Sequence, residues 1–306
     1  MASTSSTSAA SSCLPPETKQ NYTVMSNKQV SPDSNLLSVR FEGRDYLGWD
    51  PVIPTCVSVT YDNTETGEVL SKSYSPISHP SQKETFDLLV KAYPYQPGGG
   101  VGAYLCNLQA GDTLLGKVKK PRIMHGSSQV LGRGWKHVGL IAGGTGIAPL
   151  YQLLQILLRE EDDTPTRIHV LSINRYEHDI LMRTELDQLA EQYPDRVFVT
   201  YSLTGTSYDD AEGGAPPAEE RVTTENNSPF HYGRGNVDLA RQALPDPSLG
   251  DQVMVFVCGK NGFVETWGGK VMREKTTDGS KGPKIQGPLL GLLKEAGFDA
   301  SQVFKY

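Results

Sequence analysis

Cysteine is scarce in this 306-residue chain: only Cys13, Cys56, Cys106 and Cys258 occur, far apart and without a C-x-x-C pair. That spacing excludes the usual zinc and iron–sulfur motifs and fits a reducing compartment. The six histidines (His79, His125, His137, His169, His178 and His231) show no metal spacing, so no metal site is expected. Long hydrophobic runs are also missing. No stretch approaches the roughly 18 to 20 apolar residues that cross a bilayer, and no transmembrane segment is expected. Nor is there an excess of basic charge. A net charge of −6 argues against a general nucleic-acid binder, although local patches can oppose the average. The first twelve residues hold no charge and no apolar core, which excludes a secretory signal. Organelle transit peptides share their serine-rich, acid-poor character, yet arginine is absent. Residues 1–33 therefore read as a disordered tail. The protein is expected in the cytoplasm or on the soluble face of an organelle membrane, with organelle targeting left open.

What is present is concentrated in residues 138–158. An apolar run, 138–142, reads as a buried parallel strand and meets Gly143, Gly144, Thr145 and Gly146. Pro149 then opens an amphipathic helix, a position where its missing N–H costs nothing. Glycines permit a tight turn and let bare backbone approach a ligand. The turn and the helix dipole together favour an anion such as the pyrophosphate of a dinucleotide. An ordinary glycine-rich strand-to-helix turn is the plain alternative. Strand, G-G-T-G, proline and helix in register favour the nucleotide.

Two composition regimes follow. Residues 37–41, 55–61, 69–75, 85–93 and 113–118 are short β-rich runs separated by turn residues, which suggests a small antiparallel barrel over residues 34–130. Beyond a hinge near residues 127–134, strand-like runs (138–142, 168–173, 197–203, 253–258) alternate with helical ones (149–160, 180–193, 289–296). That alternation predicts a parallel sheet covered by helices in residues 131–306. The expected fold is a β barrel plus an α/β domain. Residues 206–230 read as an acidic, polar loop, and 265–288 as a glycine- and lysine-rich insertion whose role is not legible.

The barrel carries its own chemistry. Lys72, Tyr74 and Ser75 close a strand with a cation, a phenol and a hydroxyl, Lys72 and Tyr74 on one face and Ser75 on the other. A cation binds phosphate, an aromatic packs on a flat ring, and a hydroxyl bonds a ring nitrogen. Residues 97–105, with Gly98, Gly99, Val101 and Gly102, read as a second glycine turn into a short helix. Two phosphate-type turns on two domains suggest two dinucleotides.

At these residues the sequence resembles the ferredoxin-reductase-like flavoproteins, most closely the cytochrome b5 reductases. The flavin motif Arg-x-Tyr-(Ser/Thr)-x-x-Ser matches residues 72–78 with lysine for arginine. Gly-Gly-x-x-Ser-x-x-Leu matches residues 98–105 with Gly102 at the serine. Residues 143–149 match the nicotinamide-nucleotide motif, and Cys258-Gly259 matches a strand-end Cys-Gly. Residues 174–182 resemble the segment after the domain's second strand, and the chain ends on an aromatic, Tyr306, as relatives do.

The resemblance implies FAD and NADH, with NADPH as the alternative, and gives the residues roles. Tyr74 and Ser75 would hold the isoalloxazine, with the Ser75 hydroxyl near flavin N5. Lys72 and the turn at residues 98–102 would face the FAD pyrophosphate. Lys91 and Tyr93 would line the flavin and nicotinamide region. Thr145 would sit where the nicotinamide approaches, and Cys258 near its C4, positioning rather than attacking. Two departures weaken the flavin grip: lysine lacks arginine's bidentate fork, and Gly102 offers no hydroxyl. A third concerns the nucleotide. Where NADH-dependent relatives place an acid after the third strand, this chain has Thr204, with Arg175 and Arg234 as candidate cations for a 2′-phosphate.

The implied activity is hydride transfer from the nicotinamide to FAD and single-electron transfer to an acceptor protein, expected to be an acidic b-type cytochrome. The basic run 117–137 (Lys117, Lys119, Lys120, Arg122, Arg133, Lys136), which holds no acid, is its candidate docking segment. Two other readings stay open. One is a detached reductase component of an oxygenase, desaturase or nitrate-reducing system. The other is a non-catalytic nucleotide-sensing or scaffold protein.

Overall fold

Alternating apolar and polar residues build the first of two units into which the chain divides. The computed structural model describes residues 17–92, 99–121, 135–159, 166–205, 230–275 and 281–306. The first unit contains β1 (Gln20–Ser31), β2 (Ser34–Arg40), β3 (Val57–Asn63), β4 (Glu68–Tyr74), β5 (Thr85–Lys91), α1 (Val101–Asn107) and β6 (Thr113–Val118). Its strands form one antiparallel sheet in the order β4-β3-β6-β1-β2-β5. The edges meet just past β4. The Ile77 N–H donates to the Asp87 carbonyl on β5 at 2.8 Å, and the Asp87 N–H donates to Ser78 Oγ at 3.1 Å. The sheet thereby closes as a barrel around Tyr22, Val39, Val59, Phe86, Leu88 and Leu114.

β1 corrects the expected tail of residues 1–33. Tyr22 and Val24 are fully buried in the barrel, and β1 pairs with β6 from Gln20 to Thr23. The alternation is short and set among polar residues, so its composition resembles a tail while its period is that of a strand. Residues 1–16 lie outside the described residues, as do the hinge at 127–134 and loop residues 206–229.

The second unit alternates strand and helix. It comprises β7 (His137–Gly143), α2 (Ile147–Arg159), β8 (Arg167–Asn174), α3 (Arg183–Gln192), β9 (Val197–Leu203), β10 (Phe230–Tyr232), α4 (Val237–Ala243), β11 (Val253–Cys258) and α5 (Asn261–Gly268). A hairpin, β12 (Met272–Lys275) and β13 (Lys281–Ile285), is followed by α6 (Gly291–Ala296) and β14 (Val303–Lys305). Six strands run parallel in the order β10-β9-β8-β7-β11-β14. The apolar runs of β7 and β11 are buried on both faces, as a helix-covered parallel sheet requires. α2 starts at Ile147, so Pro149 is its third residue rather than its first. A first-turn N–H has no intrahelical acceptor, so the proline is tolerated there.

The C-terminus is fastened by a buried cation. Lys305 is 2% exposed, and its ammonium donates to the carbonyls of Gly268 (3.1 Å), Lys270 (3.4 Å), Gly287 (3.3 Å) and Pro288 (3.0 Å). Burial pushes its pKa below the usual lysine value. The Gln286 amide donates to the Lys305 carbonyl and accepts from its N–H, covering an edge of the sheet with a side chain. Both ends of the hairpin are thereby tied to β14. The described part of the insertion at 265–288 is thus the end of α5 and a two-stranded ribbon.

Candidate functional site

In the first unit, three of the expected flavin residues converge. Tyr74 ends β4 with its ring buried, and the Lys72 ammonium lies 5.6 Å from the ring centroid. Gly102, on α1, presses on the end of β5. A Cβ there would collide with the Lys91 carbonyl oxygen and come 3.7 Å from Tyr74 Oη. The main chain of β5 therefore occupies the space that the family's serine would need, which accounts for the glycine. Gly99 adopts φ +71°, a left-handed conformation that favours glycine. Val101 is buried in the barrel core. Ser75 is half-buried just past β4, and the Lys91 ammonium pairs with Asp33 at 2.5 Å. Tyr93 and Gly98 lie outside the described residues.

Sequence reasoning missed the residues that hold this turn. The Asn27 amide on β1 donates to the carbonyls of Leu105 (3.1 Å), Cys106 (3.1 Å) and Leu108 (2.7 Å), gathering the orphan acceptors at the end of α1. Asn35 donates to Asn27 Oδ1 at 2.8 Å and fixes the amide's orientation. Asn63 donates to the Gly99 carbonyl at 3.4 Å and accepts from the N–H groups of Glu65 and Thr66. No local pattern signals Asn27, because its partners lie about eighty residues away. Beside this network the Cys106 thiol is pushed up to about 11 by burial, so it is inert near neutral pH.

In the second unit the expected residues gather where the strand order reverses. From β7 the chain adds β8, β9 and β10 on one side and β11 and β14 on the other. Ligands of open α/β sheets bind at such a switch point, beyond the carboxyl ends of the strands. Gly143 ends β7, and Gly144, Thr145 and Gly146 form a single tight turn that runs into α2. Gly144 has φ +54°, and a Cβ there would meet open space. Gly146 lies so close to β11 that a Cβ would collide with the Cys258 carbonyl and approach the Gly259 nitrogen to 2.8 Å. Phe263 packs over both Gly143 and Gly259. Tyr306 donates its N–H to the Val257 carbonyl at 3.0 Å. Thus Thr145, Cys258 and Tyr306 sit on adjacent segments.

Thr204 follows β9 and is exposed, with its N–H and hydroxyl both on the Asn174 carbonyl (2.9 and 3.3 Å). Gly205 bonds the Arg175 carbonyl at 2.8 Å, and the Arg175 guanidinium lies 5.3 Å from the Tyr176 ring centroid. Arg234 lines a cavity of about 240 Å³ with Ser202, His231, Tyr232, Asn236, Asp238 and Gln242, and the neighbouring Gly233 N–H donates to the Leu203 carbonyl at 2.7 Å. The Arg175 carbonyl and Gly233, which precedes Arg234, both border the Thr204 segment, so both arginines stay candidate cations for it. Both units fit a dinucleotide. Each has a glycine turn with bare backbone, one bordered by Lys72 and a buried phenol, the other opening a thirteen-residue helix whose positive end favours phosphate.

Comparison with known proteins gives the same division. Residues 21–122 match the oxidoreductase FAD-binding domain, and residues 140–267 the oxidoreductase NAD-binding domain. NADH-cytochrome b5 reductase 2 of Mycosarcoma maydis is 33% identical over 79% of this chain and 59% of its own length. The proteins of that name from Saccharomyces cerevisiae and Aspergillus terreus are 32% and 30% identical, over 79% and 89% of this chain and 68% and 74% of theirs. The chain thus spans about six-tenths of the Mycosarcoma relative. Among solved structures, the cytochrome b5 reductase domain of Ulva prolifera nitrate reductase has the same fold (TM-score 0.66, 22% identity, covering 96% of this chain and 99% of that one). Fold and glycine turns define a two-domain flavin- and nicotinamide-binding oxidoreductase class. Within it, the chain belongs to the NADH-cytochrome b5 reductase family of ferredoxin-reductase-like flavoproteins.

Proposed function

We propose that this chain is an FAD-dependent reductase that takes hydride from NADH and delivers single electrons to a haem protein such as cytochrome b5. One observation carries the reading: the Thr145 turn and Cys258-Gly259 flank the switch point of the nucleotide sheet, while a second glycine turn adjoins Tyr74 on the barrel. When bound, the flavin supplies the conversion of a two-electron donor into single electrons. The chain's own residues align and exclude. Tyr74 presents a ring that a flat cofactor packs against, Lys72 offers charge to phosphate, and Ser75 offers a hydroxyl to a ring nitrogen. Thr145 and Cys258 wall the nicotinamide position, and no side chain has to act as a strong acid or base.

The purified protein is expected to be yellow, with one FAD per chain, and its absorption band should bleach with NADH. A colourless protein that takes up no flavin would overturn the reading in favour of a scaffold. For the nucleotide, Thr204 puts no carboxylate against a 2′-phosphate, and Arg175 and Arg234 are the candidate cations for it. We therefore expect weak discrimination, with Thr204→Asp raising KM for NADPH about tenfold while KM for NADH stays within about twofold. A wild type that already rejects NADPH by about a thousandfold, roughly 4 kcal/mol, removes the premise.

A further inference from the structure

The β12–β13 hairpin sets like charges against one another. Arg273 is in register with Lys284, and Lys275 with Lys281. Like charges directly opposite each other destabilise a ribbon, and a two-stranded hairpin is marginal to begin with. Residues 270–275 and 281–285 hold five cations, of which Lys270 pairs with Glu265 at 3.3 Å, and a single acid, in a chain of net charge −6. Every residue of β12 is exposed, and at the base Met272 (47% exposed) faces Ile285 (38% exposed) across the strands. The ribbon is nonetheless held firmly. Lys305 and Gln286 fasten its two ends, and Arg273 donates across it to the Gly282 carbonyl at 2.8 Å. A fold that needed only a connector between α5 and α6 would gain nothing from setting cationic positions in register with one another on so well fastened a ribbon.

The basic run at 117–137 is partly engaged within its own unit. Lys119 donates to Ser73 Oγ at 3.1 Å, and Lys120 lies 3.8 Å from the Glu17 carboxylate. Part of that run is engaged within the barrel, and Arg122 and Arg133 lie outside the described residues.

We propose that the β12–β13 hairpin is a docking ribbon for an acidic protein surface, that of the electron acceptor. The apolar pair Met272–Ile285 supplies a small contact patch, and the cations beyond it supply charge complementarity and steer encounter. A protein fits better than a bilayer, because the apolar residues lie at the base and the sequence between the strands, 276–280, holds none. The proposal rests on the reductase reading for the identity of its partner.

The test is a titration of resting, FAD-loaded protein with the soluble haem domain of a cytochrome b5, at low and at physiological salt, without NADH. Lys275→Glu with Lys284→Glu places an acid opposite Lys281 and Arg273. It should raise Kd about tenfold and flatten its salt dependence. The same substitutions should leave Tm unchanged or raised, because each repulsive pair becomes attractive, and should leave NADH–ferricyanide turnover unchanged. Lys275→Gln with Lys284→Gln should show the smaller effect in the same direction. An unchanged Kd in both variants overturns the proposal, and so does a loss of binding that tracks a fall in Tm. Loss of sedimentation with phosphatidylserine vesicles while Kd for the haem domain holds would assign the ribbon to a membrane instead. Failure of NADH to reduce the flavin would sink the reductase reading and leave the titration standing.

Discussion

The two glycine turns solve one problem by different means. In each, a glycine lets the start of a helix press on a strand end: Gly102 on the Lys91 carbonyl, Gly146 on the Cys258 carbonyl. α2 is held by its own surface, with Leu150, Leu153, Leu154 and Leu157 buried along thirteen residues. α1 has only seven residues, too few to be stable alone, and its last carbonyls are gathered by Asn27. A long helix can be aimed by packing. A short one needs a side chain brought from elsewhere.

The largest effects should come from filling either contact. Gly146→Ala drives a methyl into backbone that cannot move aside without parting α2 from β11. We expect a loss of about 3 kcal/mol, at the upper end of overpacking, seen as a lower Tm and weaker NADH binding with FAD content retained. Gly102→Ser installs the family's hydroxyl yet meets the Lys91 carbonyl. It should cost about 2 kcal/mol and lower FAD occupancy instead. Equal losses of FAD and NADH binding in both variants would mean that the turns are not separate sites.

Asn27→Leu sharpens the contrast. It removes the donor to three carbonyls at the end of α1, a loss of about 1–3 kcal/mol, and should release FAD without touching the NADH site. Asn27→Asp, similar in shape but without the amide donor, should do no better. Full FAD content in either variant would show that α1 holds itself.

The two units were also unequally legible. β6, β9 and β11 have the bounds their apolar runs predict, and the glycine turns announced themselves by composition. β1 did not, since a barrel strand with one buried face needs only alternate apolar residues, and Tyr22 and Val24 sit among polar ones. The hairpin was hidden because its stability comes from Lys305 and Gln286, which lie outside the ribbon. For the same reason the site's chemistry-bearing residues could be read locally, while Asn27, Asn35 and Asn63 could not. Their function is a distance that only the fold creates.

The effect that is smallest at neutral pH, and grows only in acid, separates the units by pH. His169 on β8 stacks on Phe198 at 4.9 Å and lies 6.4 Å from His137. Burial, with the His137 and Arg167 charges adding to it, pushes its pKa from 6.5 down to about 4. His137 is lowered too, by burial and then by Arg167. In the unfolded chain these rings take protons below about pH 6.5, whereas the folded chain resists. The stabilisation is therefore complete above pH 6.5 and drains as pH falls toward 4. Hydrogen exchange resolved by peptide should show β7–β9 losing protection between pH 6.5 and 4.5 ahead of the barrel strands. His169→Gln, which cannot take up the proton, should flatten that slope without altering the barrel. A slope that persists in His169→Gln would place the acid sensitivity elsewhere in the second unit.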